Sequence, residues 1–152
     1  MSVNVSFTGR EYPPDEVYEV GRQKIREFAE AVAAGGQVHP AHIDPDAARA
    51  LGYADVIAPP TFAVIIAQRS DARLVEDPEA GIDFSRVVHG EQRFVHHRPI
   101  TAGDRLVATL HVDSVREAGG HAMVTTRSEI ATEGRERVCT ATSMLVVRGE
   151  EA

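Results

Sequence analysis

Residues 61–69 constrain the fold more than any other part of the chain. Phe62, Ile65, Ile66 and Arg69 fall at i, i+3, i+4 and i+7, the spacing of one helix face. Ala63, Val64 and Ala67 make the other face apolar as well. A helix apolar nearly all round is buried inside a protein rather than laid on its surface. Pro59 and Pro60 precede it, and Pro60 suits a first helical turn, where its missing N–H does little harm. The pattern predicts a buried helix from Thr61 that fades at residues 75–77, before Pro78. Such a helix needs a wrapping.

The wrapping is expected from the second half of the chain, where the period changes to two. Residues 87–97 read as a strand interrupted at Gly90, a bulge signal. Residues 99–104 read as a turn, after which Leu106, Ala108, Leu110 and Val112 alternate with Val107, Thr109, His111 and Asp113. Gly119-Gly120 signals a hairpin into a strand over 121–132, and Glu133-Gly134-Arg135 a reversal into a strand over 138–147. Short connections between successive strands predict an antiparallel meander.

Ahead of the helix the elements are shorter. Residues 1–14 read as an irregular arm punctuated by Pro13-Pro14, and residues 17–20 as a short strand. Residues 22–34 form a helix with Ile25, Phe28, Ala29 and Val32 on one face, stopped by Gly35-Gly36. Residues 37–43 read as a loop. Asp44 and Pro45 then open a second short helix as N-cap and first helical residue, and Gly52 closes it. Residues 148–152 read as a frayed polar tail. Helices first and long antiparallel strands after make an α+β chain, and one apolar helix against a curved sheet is the hot-dog arrangement.

At 152 residues the chain is expected to be one domain with a real core. Its single Cys139 excludes an internal disulfide and suits a reducing compartment, so a cytoplasmic home is expected. No apolar run reaches membrane length, and the net charge of −7 argues against nucleic acid or membrane insertion. Arg69, Arg73, Arg86, Arg93 and Arg98 are expected to be scattered solvated charges rather than a basic patch for an acidic carrier protein.

Chemistry concentrates in residues 37–62. Gln37-Val38-His39-Pro40-Ala41-His42-Ile43-Asp44, then Ile57-Ala58-Pro59-Pro60-Thr61-Phe62, resembles the MaoC-like hydratase/dehydratase family. So do Val88-His89-Gly90-Glu91-Gln92-Arg93-Phe94 and His97-Arg98-Pro99-Ile100-Thr101-Ala102-Gly103-Asp104. The resemblance is to the branch with an incomplete catalytic motif, the FAS1-like dehydratase N-terminal domains and the first subunit of heterodimeric (3R)-hydroxyacyl-carrier-protein dehydratases. Active members carry Asp-x-Asn-Pro-x-His; here His42 falls on the His, Pro40 on the Pro, His39 on the Asn and Gln37 on the Asp. The resemblance implies an acyl-CoA or acyl-carrier-protein thioester as ligand. It also implies an acyl site lined by His39, Pro59, Pro60, Thr61, Phe62 and Val64, and no cofactor.

Dehydrating a 3-hydroxyacyl thioester needs a base for the C2 proton, a donor for the departing hydroxyl and N–H groups for the enolate-like oxygen. Gln37 is an amide, which hydrogen-bonds but does not exchange protons near neutral pH. Pro59-Pro60 stands where active members have a Gly-containing sequence, so only Thr61 and later residues donate N–H there. His42 remains. His39 with His42 lacks the third ligand of a metal site. Asp44 is an N-cap, Cys139 a small core residue, Arg98-Pro99 a turn feature, and His96 and His97 point to opposite sheet faces as packing residues.

The expectation is an acyl-thioester-binding subunit of a (3R)-hydroxyacyl dehydratase or (R)-specific enoyl hydratase, relying on a MaoC-like partner for catalytic Asp and His. The alternatives are a homodimeric hydratase active through His42, a non-catalytic acyl-binding protein, and a thioesterase using a helix residue such as Gln68 or Asp71. A homodimer or heterodimer is expected, because a sheet of about five strands leaves an edge to cover.

Overall fold

The computed structural model describes residues 2–150. Helices α1 (Arg22–Ala33), α2 (Pro45–Ala50) and α3 (Val64–Val75) are joined by strands β1 (Glu11–Tyr12), β2 (Tyr18–Glu19), β3 (Val87–His96), β4 (Arg105–Ala118), β5 (His121–Thr132) and β6 (Arg137–Val147). Among the described residues the strands form one six-stranded antiparallel sheet in the order β1-β4-β5-β6-β3, with β2 also paired to β4. α3 lies across β4, β5 and β6 in the hot-dog arrangement.

The meander β4-β5-β6 follows from its turns. Gly119 and Gly120 have φ of +58° and +79°, the backbone that a two-residue hairpin between Ala118 and His121 requires. Gly90 sits in a register shift of β3 against β6, between His89 and Glu91, so the expected bulge is present. The meander does not extend to β3. That strand pairs with β6 at the far edge, so residues 97–104 cross the end of the sheet instead of closing a hairpin. Arg98 clamps the crossover, with Nη1 and Nη2 donating to Asp104 Oδ2 and Oδ1 at 2.8 and 3.0 Å and Nε donating to Glu136.

α3 begins three residues later than the pattern predicts. Phe62, Val64, Ile65 and Ile66 donate to carbonyls three residues back, and the first four-residue bond is Ala67 N–H to Ala63 C=O at 2.9 Å. The helix is also buried on one side only. Ala63, Ile66, Ala67, Ser70, Asp71 and Leu74 face the sheet, while Gln68 and Arg69 are exposed and Val64 and Ile65 half-buried. The apolar all-round pattern lasts for barely two turns, and beyond it polar side chains supply an outer face.

The core falls into two apolar clusters. One joins Ile25, Val56, Phe62, Ile66, Ile100, Leu106, Ile130 and Val138; the other joins Val3, Phe7, Leu74, Leu110, Val112, Val124 and Leu145. Between them runs a buried polar belt of Ser70 and Asp71 on α3, Thr126 and Ser128 on β5, and Ser143 on β6.

Both chain ends are more ordered than the sequence suggests. The expected irregular arm holds a 3-10 turn at Val5–Phe7, and Val3 and Phe7 are buried in the second cluster. Tyr12 O–H donates to Asp77 at 2.8 Å, and burial pushes that phenol up to about 12. At the other end Arg148 N–H bonds to Arg86 C=O, so the tail is tied down there; residues 151–152 lie outside the described ones. Val32, expected on the core face of α1, is 54% exposed. No helix among the described residues is long and apolar enough to cross a membrane.

Candidate functional site

The motif segment is held from behind by α1. Arg26 donates to Ile43 C=O at 2.9 Å, and Arg22 makes a two-point contact with Asp55 at 2.9 and 2.7 Å. That contact holds the Asp55 carboxyl below the usual carboxylate range. Residues 37–43 are not all loop: Pro40–His42 is a 3-10 turn capped by the His39 ring, whose Nδ1 accepts from Ala41 N–H at 3.1 Å. The prolyl φ starts the turn and the capping ring satisfies its free N–H.

The turn aims His42 at the neighbouring segment. His42 Nδ1 lies 2.6 Å from Ile57 C=O. A carbonyl only accepts, so Nδ1 carries the proton and the Nε2 lone pair is left free. Ile57 N–H returns a bond to Ala41 C=O at 3.0 Å, which closes the two segments on each other. The geometry gives a half-buried imidazole in a base-ready tautomer. Gln37 and His39 are exposed, and the His39 ring lies 5.9 Å from that of His42, centre to centre.

At the start of α3, Pro59 is buried and Pro60 and Thr61 are exposed. His96 Nε2 donates to Pro60 C=O at 2.7 Å, which fixes the turn; this ring therefore bonds the helix start, a role its strand position does not reveal. The N–H groups of Thr61 and Ala63 donate to no acceptor among the described residues. Of the two, Thr61 N–H belongs to an exposed residue and is suited to a developing oxyanion, whereas Ala63 is 0% exposed and offers no surface to a ligand. Val64 is half-buried on the outer face that begins at Thr61. Phe62 is instead fully buried, edge-on to Phe28 and Tyr18 at 5.4 and 6.4 Å between ring centres, so it anchors the turn and presents no surface to a ligand. Ala67, 1% exposed, also packs against the sheet.

The five arginines are not free charges. Arg69 pairs with Glu16, Arg73 with Asp15, Arg86 with Glu150, Arg93 with Glu91 and Arg98 with Asp104. Cys139 is buried and its thiol is pushed up to about 11 by that burial. Among the described residues no cluster of three or more His, Cys, Asp or Glu is placed to hold a metal ion.

A second polar centre lies farther along α3. Thr126 O–H donates to Asp71 at 2.6 Å, and Ser143 O–H donates to Gln92 Oε1 at 2.9 Å. His89 Nε2 reaches the same Gln92 oxygen at 3.2 Å. Asp71 is 7% exposed, and burial pushes its carboxyl up. The sequence signal for this centre is that Thr126, Ser128 and Ser143 interrupt the apolar phase of β5 and β6, where Val124, Ile130, Ala141 and Leu145 are the other inward residues.

The sequence profile of the FAS1-like, dehydratase domain region matches residues 6–141. The chain is 56% identical over 149 residues to a UPF0336 protein of Saccharopolyspora erythraea, covering 98% of this chain and 94% of that one. Its structure is similar to a chain of the C-terminally truncated HadBC (3R-hydroxyacyl-ACP dehydratase) complex of Mycobacterium tuberculosis. The TM-score there is 0.83 at 34% identity, over 96% of this chain and 99% of the other. A MaoC-like dehydratase superposes with a TM-score of 0.85 at 35% identity, over 95% of this chain and 43% of that longer one.

Proposed function

The chain belongs to the FAS1-like dehydratase region family, a group of MaoC-like hot-dog proteins, and from that premise we propose that it is the acyl-binding member of a two-subunit (3R)-hydroxyacyl thioester dehydratase. In the forward reaction a proton leaves C2, the C3–O bond breaks, the C2=C3 bond forms and water departs. Hydration of the enoyl thioester is the reverse. A base, a proton donor and an oxyanion cradle are all needed.

The observation that carries the reading is the composition of the motif end. His42 Nε2 is available as a base and the Thr61 N–H is unspent on an exposed residue, yet Gln37 stands where a carboxylate would donate and recover the proton. An imidazole without that partner cannot complete the proton cycle. A MaoC-like subunit with intact Asp and His supplies it, and this chain contributes the wall along which the acyl tail lies. The similarity to one chain of a hydroxyacyl-ACP dehydratase complex supports a two-subunit arrangement. So does β3, an edge strand with Val88 and Val95 about half exposed. An open edge of that kind invites pairing. The thioester is carried by coenzyme A or a carrier protein.

The test is reconstitution. This chain is purified alone and with a MaoC-type chain bearing the full motif, and loss of enoyl absorbance is followed on crotonyl and longer enoyl thioesters. The lone chain is expected to stay near background and the complex to turn over, with activity abolished by mutating the partner's Asp or His. Val64→Phe, on the outer face, is expected to penalise long enoyl chains more than short ones. Each methylene kept from burial removes about 0.8 kcal/mol of binding. Brisk turnover by the lone chain that collapses on His42→Ala would replace this reading with a homodimeric hydratase.

A further inference from the structure

A groove of about 640 Å³ opens between the second half of α3 and the start of β3, and the motif plays no part in it. Its size is that of a small-molecule pocket. Ala72 and Val75 of α3 face Val87 of β3 and Leu145 of β6 across it, with Phe84, 73% exposed, at its rim. Into this apolar wall come Asp71 and His89. A buried carboxyl is expensive to keep where a leucine would pack as well, unless hydrogen bonds or a ligand repay it.

Counting protons fixes what the pair offers. Gln92 Nε2 donates to Thr142 C=O at 3.0 Å, so Gln92 Oε1 must accept. Ser143 gives its one proton to that oxygen, and His89 Nε2–H points to it too. Ser143 therefore has no proton left to give Asp71. Burial pushes the Asp71 carboxyl up, and Thr126 O–H is the donor that holds it. What remains unused is acceptor capacity: a lone pair on Asp71 and the Nδ1 lone pair of His89.

The groove and the motif end lie on one helical line. Thr61, Val64, Gln68, Ala72 and Val75 follow each other at three- and four-residue steps along the outer face. From Val64 to Asp71 that line rises about 10 Å at roughly 1.5 Å per residue.

We propose that this groove holds the distal part of the acyl chain and that Asp71 and His89 form an acceptor site for a hydroxyl group carried there. The inference rests on the acyl-binding reading and adds a ligand class to it: chains with an O–H donor remote from the thioester. A keto group at the same carbon brings only an acceptor and gains nothing from this pair.

The experiment is calorimetric titration of the purified full chain with three coenzyme A thioesters: decanoyl, its ω-hydroxy counterpart and its ω-oxo counterpart. One extra hydrogen bond is expected to make the hydroxylated ligand about fivefold tighter than the plain one, with the oxo ligand no tighter. Moving the hydroxyl toward the thioester should erase the gain. Asp71→Leu should also erase it; so should His89→Phe, which sits on an exposed edge strand and does not disturb the interior. Leu51→Ser, on a distant exposed turn, should retain it. Equal binding of all three ligands, or a preference that survives both groove substitutions, overturns the hydroxyl site while leaving the acyl-binding reading intact. Failure of every thioester to bind overturns both.

Discussion

At its amino-terminal end α3 is entered through a 3-10-type turn with an unspent N–H on the exposed Thr61 and a base-ready imidazole on the neighbouring segment. Two turns on, beside Asp71, the same helix carries a buried polar belt in which Thr126, Ser143, Gln92 and His89 are all engaged. The first region carries the 37–42 stretch, with the Gln37 amide where active members have a carboxylate. The second draws His89 and Gln92 from the 88–94 stretch and is hydrogen-bonded through Asp71, Thr126, Ser143 and Gln92, with Ser70 Oγ left unpartnered among the described residues. Resemblance to a motif therefore says where a family does its chemistry, whereas satisfaction of buried groups says where this chain spends its own interior. The two regions also differ in what holds them: apolar packing fixes the first and hydrogen bonds cross-link the second.

The largest effect is expected at the packing end. Phe62 is fully buried against Phe28, Tyr18 and the first cluster, and it closes the turn with a 2.9 Å bond to Pro59 C=O. Phe62→Ala should lower stability by about 3–5 kcal/mol, the usual range for emptying a core phenylalanine site. The urea midpoint measures it. A loss under about 1 kcal/mol would mean that the turn is held by its polar contacts, and the contrast between the two regions would fail.

That contrast also explains what the sequence discloses. The period-two pattern, Gly119-Gly120 and Gly90 mark β3 to β6 because each has a local physical cause: alternation, positive φ and a bulge. The place of β3 at the far edge has no such cause, since a short connection over 97–104 reads as a hairpin. The crossover is held by long-range contacts: the Arg98–Asp104–Glu136 clamp and backbone bonds between Ile100 and Ala58, Ala102 and Val56, and Gly103 and Val20. In the arm, Val3 and Phe7 were legible as apolar residues, but too sparse to show a period. At the site, His42, His39 and Gln37 were found through the motif. The bonds of His96 to Pro60 and of Ser143 to Gln92 were not, because a single polar residue on a strand looks like part of a solvated face until its long-range partner is in place.

A smaller effect, and one with a sign, is expected at the belt. Burial raises the folded-state pKa of Asp71 above the roughly 3.9 of an unfolded aspartate. Between those values the folded chain binds more protons than the unfolded one. Stability is therefore fully present below about pH 4 and falls as pH rises through the folded pKa. Asp71→Asn keeps the hydrogen bonds and removes the titration. Relative to wild type it should gain stability as pH rises from 4.5 to 8 in paired urea curves. His89 on β3 and Glu76 on α3 also line this groove, so His89→Gln and Glu76→Gln are the controls. A wild-type slope that Asp71→Asn leaves intact would place the neutral group elsewhere.

The smallest effect is expected where the motif is most recognisable. His42→Ala removes one side-chain bond, to Ile57 C=O, from a half-buried ring. A single hydrogen bond is worth about 0.5–1.5 kcal/mol net, so the urea midpoint should move only slightly. On the proposed two-subunit reading the proton cycle would belong to the partner's Asp and His, so the same substitution should change turnover by less than a few-fold. Gln37→Asp, which restores the motif carboxylate, should then give the lone chain a measurable hydration rate that His42→Ala removes again. Recovery in Gln37→Asp with loss in the double variant means that the motif end keeps a working base and cradle and lacks only its acid. No recovery means that the free Thr61 N–H behind Pro59 and Pro60 does not reach a thioester oxygen, and the incompleteness extends from one side chain to the backbone of the turn.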